Sequence, residues 1–207
     1  MSLTLHTNLG DLKCELYCEL APKACTNFLA LAASGYYNNT IFHRSIRKFM
    51  VQGGQTTAST RSARSQQAAR RCTLRHDAVP HACSLALFCV ARVPGDPTGT
   101  GKGGASIFPG GKYFEDELHD SLKHDARGTI SMASRGPNTN ASQFFIAYAP
   151  APHLNNINTV FGRVIAGEET LDAMEKVPVD AKDRPIHEIK ILDVTIHANP
   201  IAEAAAR

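Results

Sequence analysis

Hydrophobic and polar residues alternate along several short stretches of the chain, and this two-residue period predicts β-strands. Residues 2–8 and 11–18 form the first predicted hairpin, with a turn at residues 8–11 that contains Asn, Gly and Asp. The same alternation predicts later strands at residues 129–133, 143–148, 160–165 and 189–196. The chain is therefore rich in strands along most of its length.

The stretch from Thr40 to Gly54 carries the most informative pattern. It predicts two short strands, around Ile41–Arg44 and Phe49–Gln52, joined by a basic turn. One face of this pair then carries a fixed cation, an amide and two bulky apolar groups: Arg44, Gln52, Phe49 and Met50. Residues 131–146 predict a second face that matches it, with Gln143 and Phe145 side by side. Together the two faces predict an apolar pocket with polar walls, suited to a proline.

Two segments have the helical period instead. Residues 21–34 begin with a first-turn proline, end before Gly35, and place four apolar side chains on one face: Cys25, Phe28, Leu29 and Ala32. Residues 167–177 form a second, shorter helix that ends at Pro178. Strands greatly outnumber helices, which favours a mainly β fold: an antiparallel barrel with a helix at each end.

Composition limits the class of protein. The 207 residues suit one domain, and 43% apolar with 20% charged residues is typical of a globular protein. The N-terminus has no basic region followed by an apolar core, and the longest apolar run, residues 82–91, is too short to span a bilayer. We therefore expect an intracellular protein without a membrane segment. Its six cysteines form no close CxxC pair, so we expect free thiols.

The net charge of +3 is unevenly distributed. Six arginines and the single acidic residue Asp77 give residues 55–95 a charge of +5, which leaves −2 for the rest of the chain. The main body therefore gives no sign of general nucleic-acid binding. A basic 41-residue segment without a clear period is unusual inside a compact domain and needs a special explanation.

Residues 96–111 are rich in glycine, and the pair Gly101-Lys102 resembles part of a phosphate-binding loop. The spacing excludes that reading, because Asp96 stands where the first glycine belongs and Gly103 stands where a Ser or Thr would bind magnesium. A flexible backbone that lines a binding groove fits this composition better.

Three motifs, with a fourth short one, resemble the cyclophilins: FHRSIRKFMVQGG (42–54), KYFEDE (112–117), SMASRGPNTNASQFFI (131–146) and VFGRV (160–164). The resemblance covers nearly all of residues 2–198 except 55–95. Within the family, residues 96–101 and 194–200 are closest to the peptidyl-prolyl isomerase-like 3 group. That group is associated with the nucleus and the spliceosome.

The resemblance implies a closed eight-stranded antiparallel β-barrel capped by two α-helices, and peptidyl-prolyl cis-trans isomerase activity (EC 5.2.1.8) without a metal or cofactor. It implies catalytic roles for Arg44 and Gln52. It also implies a substrate-binding set made of Phe49, Met50, Gly101, Ala133, Ser134, Arg135, Gln143, Phe145, His153, Leu154 and Asn158. A hydrolase that uses His43 and Ser142 is excluded, because the sequence has no nucleophile elbow and no third member.

Some positions depart from the best-known members of the family. His153 stands where they have a tryptophan that helps to bind cyclosporin, and Asn158 stands where they have a histidine in the pocket wall. These differences put drug sensitivity in doubt and predict modest activity. Ser134 and Arg135 predict a changed preference for the residue before proline.

The segment 55–95 interrupts the border of the groove, within a single domain of residues 1–200 that is followed by a tail, 201–207. Three interpretations compete: translated intron sequence, a disordered loop whose arginines meet RNA or an acidic partner, and a small metal module. The metal module would use Cys72, His76, His81, Cys83 and Cys89, whose spacing fits no familiar zinc motif.

The sequence thus predicts a monomeric prolyl isomerase, nuclear or cytoplasmic, that acts on proline-containing peptides and on proteins such as spliceosomal factors. The alternative is a binding module that docks proline segments in a protein assembly and has little or no catalytic activity. Arg44 favours the enzyme, whereas His153, Asn158 and the insertion favour the binding module.

Overall fold

A computed structural model describes residues 1–54, 104–109 and 112–197 of the chain. The predicted insertion at 55–95, the glycine-rich residues 96–103, Gly101 among them, and the tail at 201–207 therefore lie outside the described residues. All elements below belong to the described part.

The described residues form nine strands and two α-helices. The strands are β1 (Ser2–Thr7), β2 (Gly10–Leu16), β3 (Thr40–Ile41), β4 (Arg44–Ile46), β5 (Met50–Gly53), β6 (Thr129–Met132), β7 (Phe144–Ala147), β8 (Val160–Ala166) and β9 (Lys190–Ile196). The helices are α1 (Pro22–Ala33) and α2 (Glu168–Lys176), and Pro152–Leu154 form a short 3₁₀ turn. The predicted helices and later strands agree with these bounds to within two residues.

The nine strands form one curled antiparallel sheet in the order β3-β9-β1-β2-β8-β6-β7-β5-β4. The protein is therefore mainly β, as predicted. The sheet is a half-barrel, and the closed eight-stranded barrel remains a prediction. The strands that end the sheet, β3 and β4, are separated by only Phe42 and His43 in the chain.

The prediction of two strands between Thr40 and Gly54 was wrong in detail, since this stretch contains three strands. Two consecutive amides donate to different parts of the sheet. The Phe42 N–H donates to Ile189 O (2.8 Å), beside β9, and the His43 N–H donates to Gln52 O (3.1 Å) in β5. The chain therefore changes its partner from one end of the sheet to the other at this point, and the first predicted strand divides there.

Aromatic side chains fill the core beneath helix α1. The Phe28 ring lies 4.9 Å from the Tyr37 ring, 5.2 Å from Phe144 and 5.3 Å from Phe161, between ring centroids. All four side chains are almost fully buried. The predicted inward stripe of α1 is buried, and so are Leu171 and Met174 of α2. Packing on this scale holds α1 against the curled sheet.

Helix α1 is capped from outside its own sequence. Its N-cap residue, Ala21, has no side chain that can accept a hydrogen bond. Glu117 instead accepts bonds from the backbone amides of Lys23 (2.9 Å) and Ala24 (2.8 Å). A carboxylate at a helix N-terminus satisfies free N–H groups and complements the helix dipole. The motif at 112–117 therefore stabilises the first helix.

Candidate active site

Three of the predicted site residues form, together with Ser131, a row across four neighbouring strands. The register places Arg44 of β4 opposite Gln52 of β5, Gln52 opposite Phe145 of β7, and Phe145 opposite Ser131 of β6. Directly opposed residues on adjacent strands project on the same face. Arg44 is exposed, Gln52 is half-buried, and Phe145 and Ser131 are buried. The row therefore runs from a solvated cation to an enclosed aromatic ring.

Two amide side chains are joined beside this row. The Gln52 Nε2 group donates a hydrogen bond to Gln143 Oε1 at 2.9 Å. The pair borders a cavity of about 70 Å³ lined by Gln52, Tyr113, Ala133, Ser134, Arg135, Thr139, Ala141 and Gln143. Sequence reasoning missed three of these residues, Tyr113, Thr139 and Ala141. All three stand inside the motifs at 112–117 and 131–146, but nothing in those motifs shows which side chains point into the cavity.

Some main-chain amides at the edge of this cavity already donate hydrogen bonds within the protein. The Ala133 amide donates to Gln143 O (3.0 Å), and the Arg135 amide donates to Thr139 Oγ1 (2.9 Å). Asn158 supports the same edge, because its Nδ2 group donates to Met132 O (3.1 Å) and to Ser134 Oγ (3.2 Å). These bonds fix the shape of the edge.

The apolar residues predicted for the pocket lie on the paired strands β5 and β7, just before β5, and in the 3₁₀ turn. Met50 and Phe145 are buried, with relative exposures of 6% and 5%, and Phe49 and Leu154 are half-buried. His153 lies over Phe49, with 5.4 Å between ring centroids and an angle of 31° between ring planes. His153 therefore adds a second flat ring to this wall.

A buried histidine that sequence reasoning missed supports the floor of the pocket. The His124 ring stacks on Phe145, with 5.9 Å between centroids and 11° between planes. Its Nε2 atom lies 3.1 Å from Ser131 Oγ, and its Nδ1 atom lies 3.2 Å from Asn155 Oδ1. Burial lowers the pKa of His124, so the neutral ring is favoured. No pattern around residue 124 could have indicated these contacts.

The surroundings of Arg44 include charges from a distant part of the chain. Its Nη2 group lies 3.5 Å from Asp183 Oδ2. The neighbouring His43 has its pKa lowered to about 4, chiefly by burial and further by the positive charges of Arg184 and Arg44. His43 is therefore neutral near pH 7 and does not add to the positive charge of the site.

The two described ends of the chain around residues 55–103 meet beside this site. Ser142 Oγ donates to Gly54 O (2.8 Å) and accepts a bond from the Ala105 amide (3.2 Å). Ser142 precedes Gln143, so Gly54 and Ala105 both lie close to the amide pair.

The structure places the predicted site residues that it describes on or beside strands β4, β5 and β7, in the loop after β6, and in or after the 3₁₀ turn. Gly101 lies outside the described residues, and the functional roles of the others remain predictions. Within residues 1–54, 104–109 and 112–197, no group of three or more His, Cys, Asp or Glu side chains could hold a metal ion. In the same part of the chain, neither helix is long and apolar enough to cross a membrane.

Comparisons with known proteins agree with this geometry. Residues 2–196 match the family model described as "Cyclophilin type peptidyl-prolyl cis-trans isomerase/CLD". The peptidyl-prolyl cis-trans isomerase CYP18-1 of Arabidopsis thaliana is 52% identical over 202 residues, which cover 98% of this chain and 99% of that protein. The human peptidyl-prolyl cis-trans isomerase-like 3 is 49% identical over 204 residues, covering 98% of this chain and 100% of that protein.

Among solved structures, a cyclophilin type peptidyl-prolyl cis-trans isomerase of Cryptosporidium parvum has a TM-score of 0.73 and 44% sequence identity. The match covers 96% of this chain and 100% of that chain. That structure was determined in the presence of the dipeptide Ala-Pro.

Proposed function

The chain belongs to the cyclophilin-type peptidyl-prolyl cis-trans isomerases, and we propose that it isomerises X–Pro bonds in the groove that contains Arg44, Gln52 and Phe145. The observation that carries this assignment is the row across the sheet. Adjacent strands lie about 4.8 Å apart, so Arg44 and Phe145 stand about 10 Å apart at their backbones with Gln52 between them. An X–Pro dipeptide is about 7 Å long, which is enough to span most of the distance between the two ends of this row.

The reaction requires positioning and a hydrogen-bond donor rather than a nucleophile. Rotation about the peptide bond loses amide resonance and faces a barrier of about 18–20 kcal/mol. As the resonance is lost, the lone pair localises on the proline nitrogen, and a donor aimed at that nitrogen stabilises the twisted amide. Arg44 is suited to this role, because a guanidinium group stays protonated and can only donate. No covalent bond changes, so no cofactor is required.

The remaining groups hold the substrate on either side of the rotating bond. Phe145, with Met50, Phe49 and Leu154 around it, offers an apolar surface to the prolyl ring. The side-chain amides of Gln52 and Gln143, joined by a hydrogen bond, are the polar groups that would meet the substrate backbone. Since the amides of Ala133 and Arg135 already donate within the protein, we assign to the Ser134 amide any main-chain donation to substrate from this loop. His153, which contacts Phe49, would extend this apolar surface on the side away from Arg44.

We also infer that the sheet closes as an eight-stranded barrel. If residues 40–46 are counted as one bent strand, the nine described strands become eight. The Phe42 and His43 amides then bridge the two ends of the sheet through Ile189 and Gln52. The same view makes residues 55–95 an insertion into a single domain, supported by the shared contact of Gly54 and Ala105 with Ser142.

Action on spliceosomal proteins, a nuclear or cytoplasmic location, a monomeric state and RNA contact through the basic segment stay predictions from the sequence. The location of the tagged full chain in cells, and the proteins that co-purify with it, would test the first two. Binding of proline-containing peptides has wider support, since a relative with 44% identity was crystallised with Ala-Pro.

The deciding experiment measures the isomerisation rate of a short X–Pro peptide by the full chain. Arg44→Ala should lower kcat/KM by roughly 100-fold, the usual effect of removing one donor at a developing charge. Arg47→Ala, which removes an exposed arginine from the neighbouring turn, is the matched control and should stay within about two-fold of wild type. Ala-Pro binding, followed by NMR, should partly survive in Arg44→Ala.

Three results would change this assignment. A folded Arg44→Ala variant with full activity would exclude Arg44 as the catalytic donor. An equal loss in Arg47→Ala would indicate a general effect of surface charge. A wild-type chain that binds Ala-Pro but shows no turnover would favour the proline-binding module.

A further inference from the structure

A carboxylate lies beside the guanidinium group to which we have assigned catalysis. Asp183 Oδ2 is 3.5 Å from Arg44 Nη2, although the two residues are 139 positions apart in the chain. We propose that Asp183 is a positioning residue that orients Arg44 for the reaction. This inference rests on the proposed catalytic role of Arg44.

The turn that carries Asp183 is fixed by its own hydrogen bonds. The Asp180 carboxylate accepts bonds from the amides of Lys182 (2.7 Å) and Arg184 (2.9 Å). The Asp180 amide donates to Arg184 O (2.8 Å), and the Asp183 amide donates to Asp180 O (3.1 Å). An isolated bridge between Val179 and Pro185 closes the base of the turn. A turn held in this way presents its side chains with little freedom.

The same turn is attached directly to the strand of Arg44. The Ser45 amide, next to Arg44 in β4, donates to Asp183 O at 2.8 Å. Ser45 is buried, and its Oγ lies 3.1 Å from the hydroxyl of buried Tyr148. Asp183 therefore contacts the strand through its backbone and Arg44 through its side chain. Two contacts on neighbouring residues determine the distance between the carboxylate and the guanidinium.

Local electrostatics explain why Arg44 benefits from such a contact. The positive charges of Arg184 and Arg44 both act on His43 and lower its pKa. Two like charges repel, and a long side chain with four rotatable bonds would otherwise turn towards solvent. Asp183 supplies the opposite charge. Because a guanidinium group has five N–H donors, a bond to Asp183 leaves others for substrate.

The contact contributes to geometry rather than to folding. The Arg44 and Asp183 side chains are 46% and 43% exposed, and ion pairs this exposed add little to stability. A change at Asp183 should therefore affect turnover while the folded state persists. That difference separates a positioning role from a structural one.

The choice of variant follows from the backbone. Asp183 has a φ of 58°, a left-handed conformation that glycine and asparagine adopt readily and alanine does not. Asp183→Gly removes the carboxylate and keeps the turn. Asp183→Asn keeps an oxygen that can accept a bond from Arg44 and removes only the charge.

Isomerisation of an X–Pro peptide is measured for the full-length wild type, both Asp183 variants, Arg44→Ala, and the double variant Arg44→Ala/Asp183→Gly. We expect Asp183→Gly to lower kcat/KM by about 5-fold, since a small misplacement of a catalytic group has large effects on rate. Asp183→Asn keeps an acceptor but lacks the charge, so it should lower kcat/KM by less than Asp183→Gly does. In the Arg44→Ala background, Asp183→Gly should have no further effect, because the residue through which it acts is gone.

NMR of the Arg44 side chain gives a second readout that is independent of rate. The Arg44 Nε–Hε signal should show a rigid guanidinium in wild type, increased mobility in Asp183→Gly, and intermediate mobility in Asp183→Asn. The inference is wrong if Asp183→Gly retains full activity or leaves this signal unchanged. It is also wrong if Asp183→Gly lowers activity equally with and without Arg44. If Arg44→Ala itself retains full activity, the catalytic role of Arg44 fails instead, and the NMR result still decides whether Asp183 restrains Arg44.

Discussion

Acid should destabilise this protein through His43. Burial, followed by the charges of Arg184 and Arg44, lowers the pKa of His43 from 6.5 to about 4. Its Nδ1 atom is buried and has no hydrogen-bond partner in the part of the chain that the structure describes. A proton on this ring would therefore add a charge next to two guanidinium groups without a compensating contact.

The sign of the effect follows from proton binding in each state. Below pH 6.5 the unfolded chain takes up a proton at His43, whereas the folded protein resists it until about pH 4. The stability that His43 contributes is thus complete above pH 6.5 and is lost as pH falls towards 4. The difference between the two pKa values corresponds to about 3 kcal/mol, and about 2 kcal/mol is already lost at pH 5.

Urea unfolding at pH 7.5 and pH 5 measures this loss. With a typical urea dependence of about 2 kcal/mol per molar, the wild-type midpoint should fall by about 1 M from His43 alone. In His43→Gln the loss between the two pH values should be smaller by about 2 kcal/mol. His124 also has a lowered pKa, but it is present in both proteins and cancels in the difference.

Ser45→Ala is the matched control. It removes the contact between Ser45 Oγ and Tyr148 without removing a titratable histidine, so it should lower stability equally at both pH values. If wild type and His43→Gln lose the same free energy between pH 7.5 and 5, the reasoning about His43 is refuted. It is also refuted if Ser45→Ala reduces the loss of free energy between pH 7.5 and 5 as much as His43→Gln does.

Two further changes test how the fold is held together. Glu117→Ala should lower the free energy of unfolding by about 1 kcal/mol, because the amides of Lys23 and Ala24 lose their acceptor. Glu117→Gln should lower it by less, and urea unfolding measures both. Phe28→Ala should cost about 3–5 kcal/mol, since its ring contacts three buried aromatic rings, and Phe28→Leu should cost less. Thermal melting would contradict the packing argument if both Phe28 variants melted like wild type.

The periodic elements were predictable because their side chains meet one environment along their length. Helix α1 presents its apolar stripe to a single core, so a 3.6-residue period identified it. Strands β1 and β2 pair with each other along their whole length, so alternation and a short turn identified the hairpin. Errors here were limited to one or two residues at the ends.

The stretch from Thr40 to Gly54 was harder for a physical reason. Alternation indicates which face a residue occupies, but it does not indicate the neighbouring strand. Phe42 bonds to Ile189 and His43 bonds to Gln52, so the partner changes between two residues whose polarity pattern is uninterrupted. A division of this kind depends on a contact with a segment almost 150 residues away, which a local period does not contain.

The residues of the candidate site also fall into two groups, those that a local pattern could predict and those that only a distant contact reveals. Residues inside the motifs, such as Arg44, Gln52 and Gln143, were predicted, and the structure brings them together. Asp183 and His124 were not predicted, because each reaches the site from a loop with no motif of its own. Their relevance follows from a contact distance and a ring stacking that only the folded chain provides.

The register of the sheet explains why the motifs predicted the row as a whole. Next to the row of Arg44, Gln52 and Phe145 lies a second row on the opposite face, in which Ser45, Val51 and Ile146 are directly opposed and almost fully buried. A slip of one residue in β5 would expose Val51 and place it where Gln52 stands, so burial of the second row fixes the first. The sequence around Gln52 therefore specifies the groove in two ways. The polar side chains line it, and the buried apolar neighbours hold the strand register that places them there.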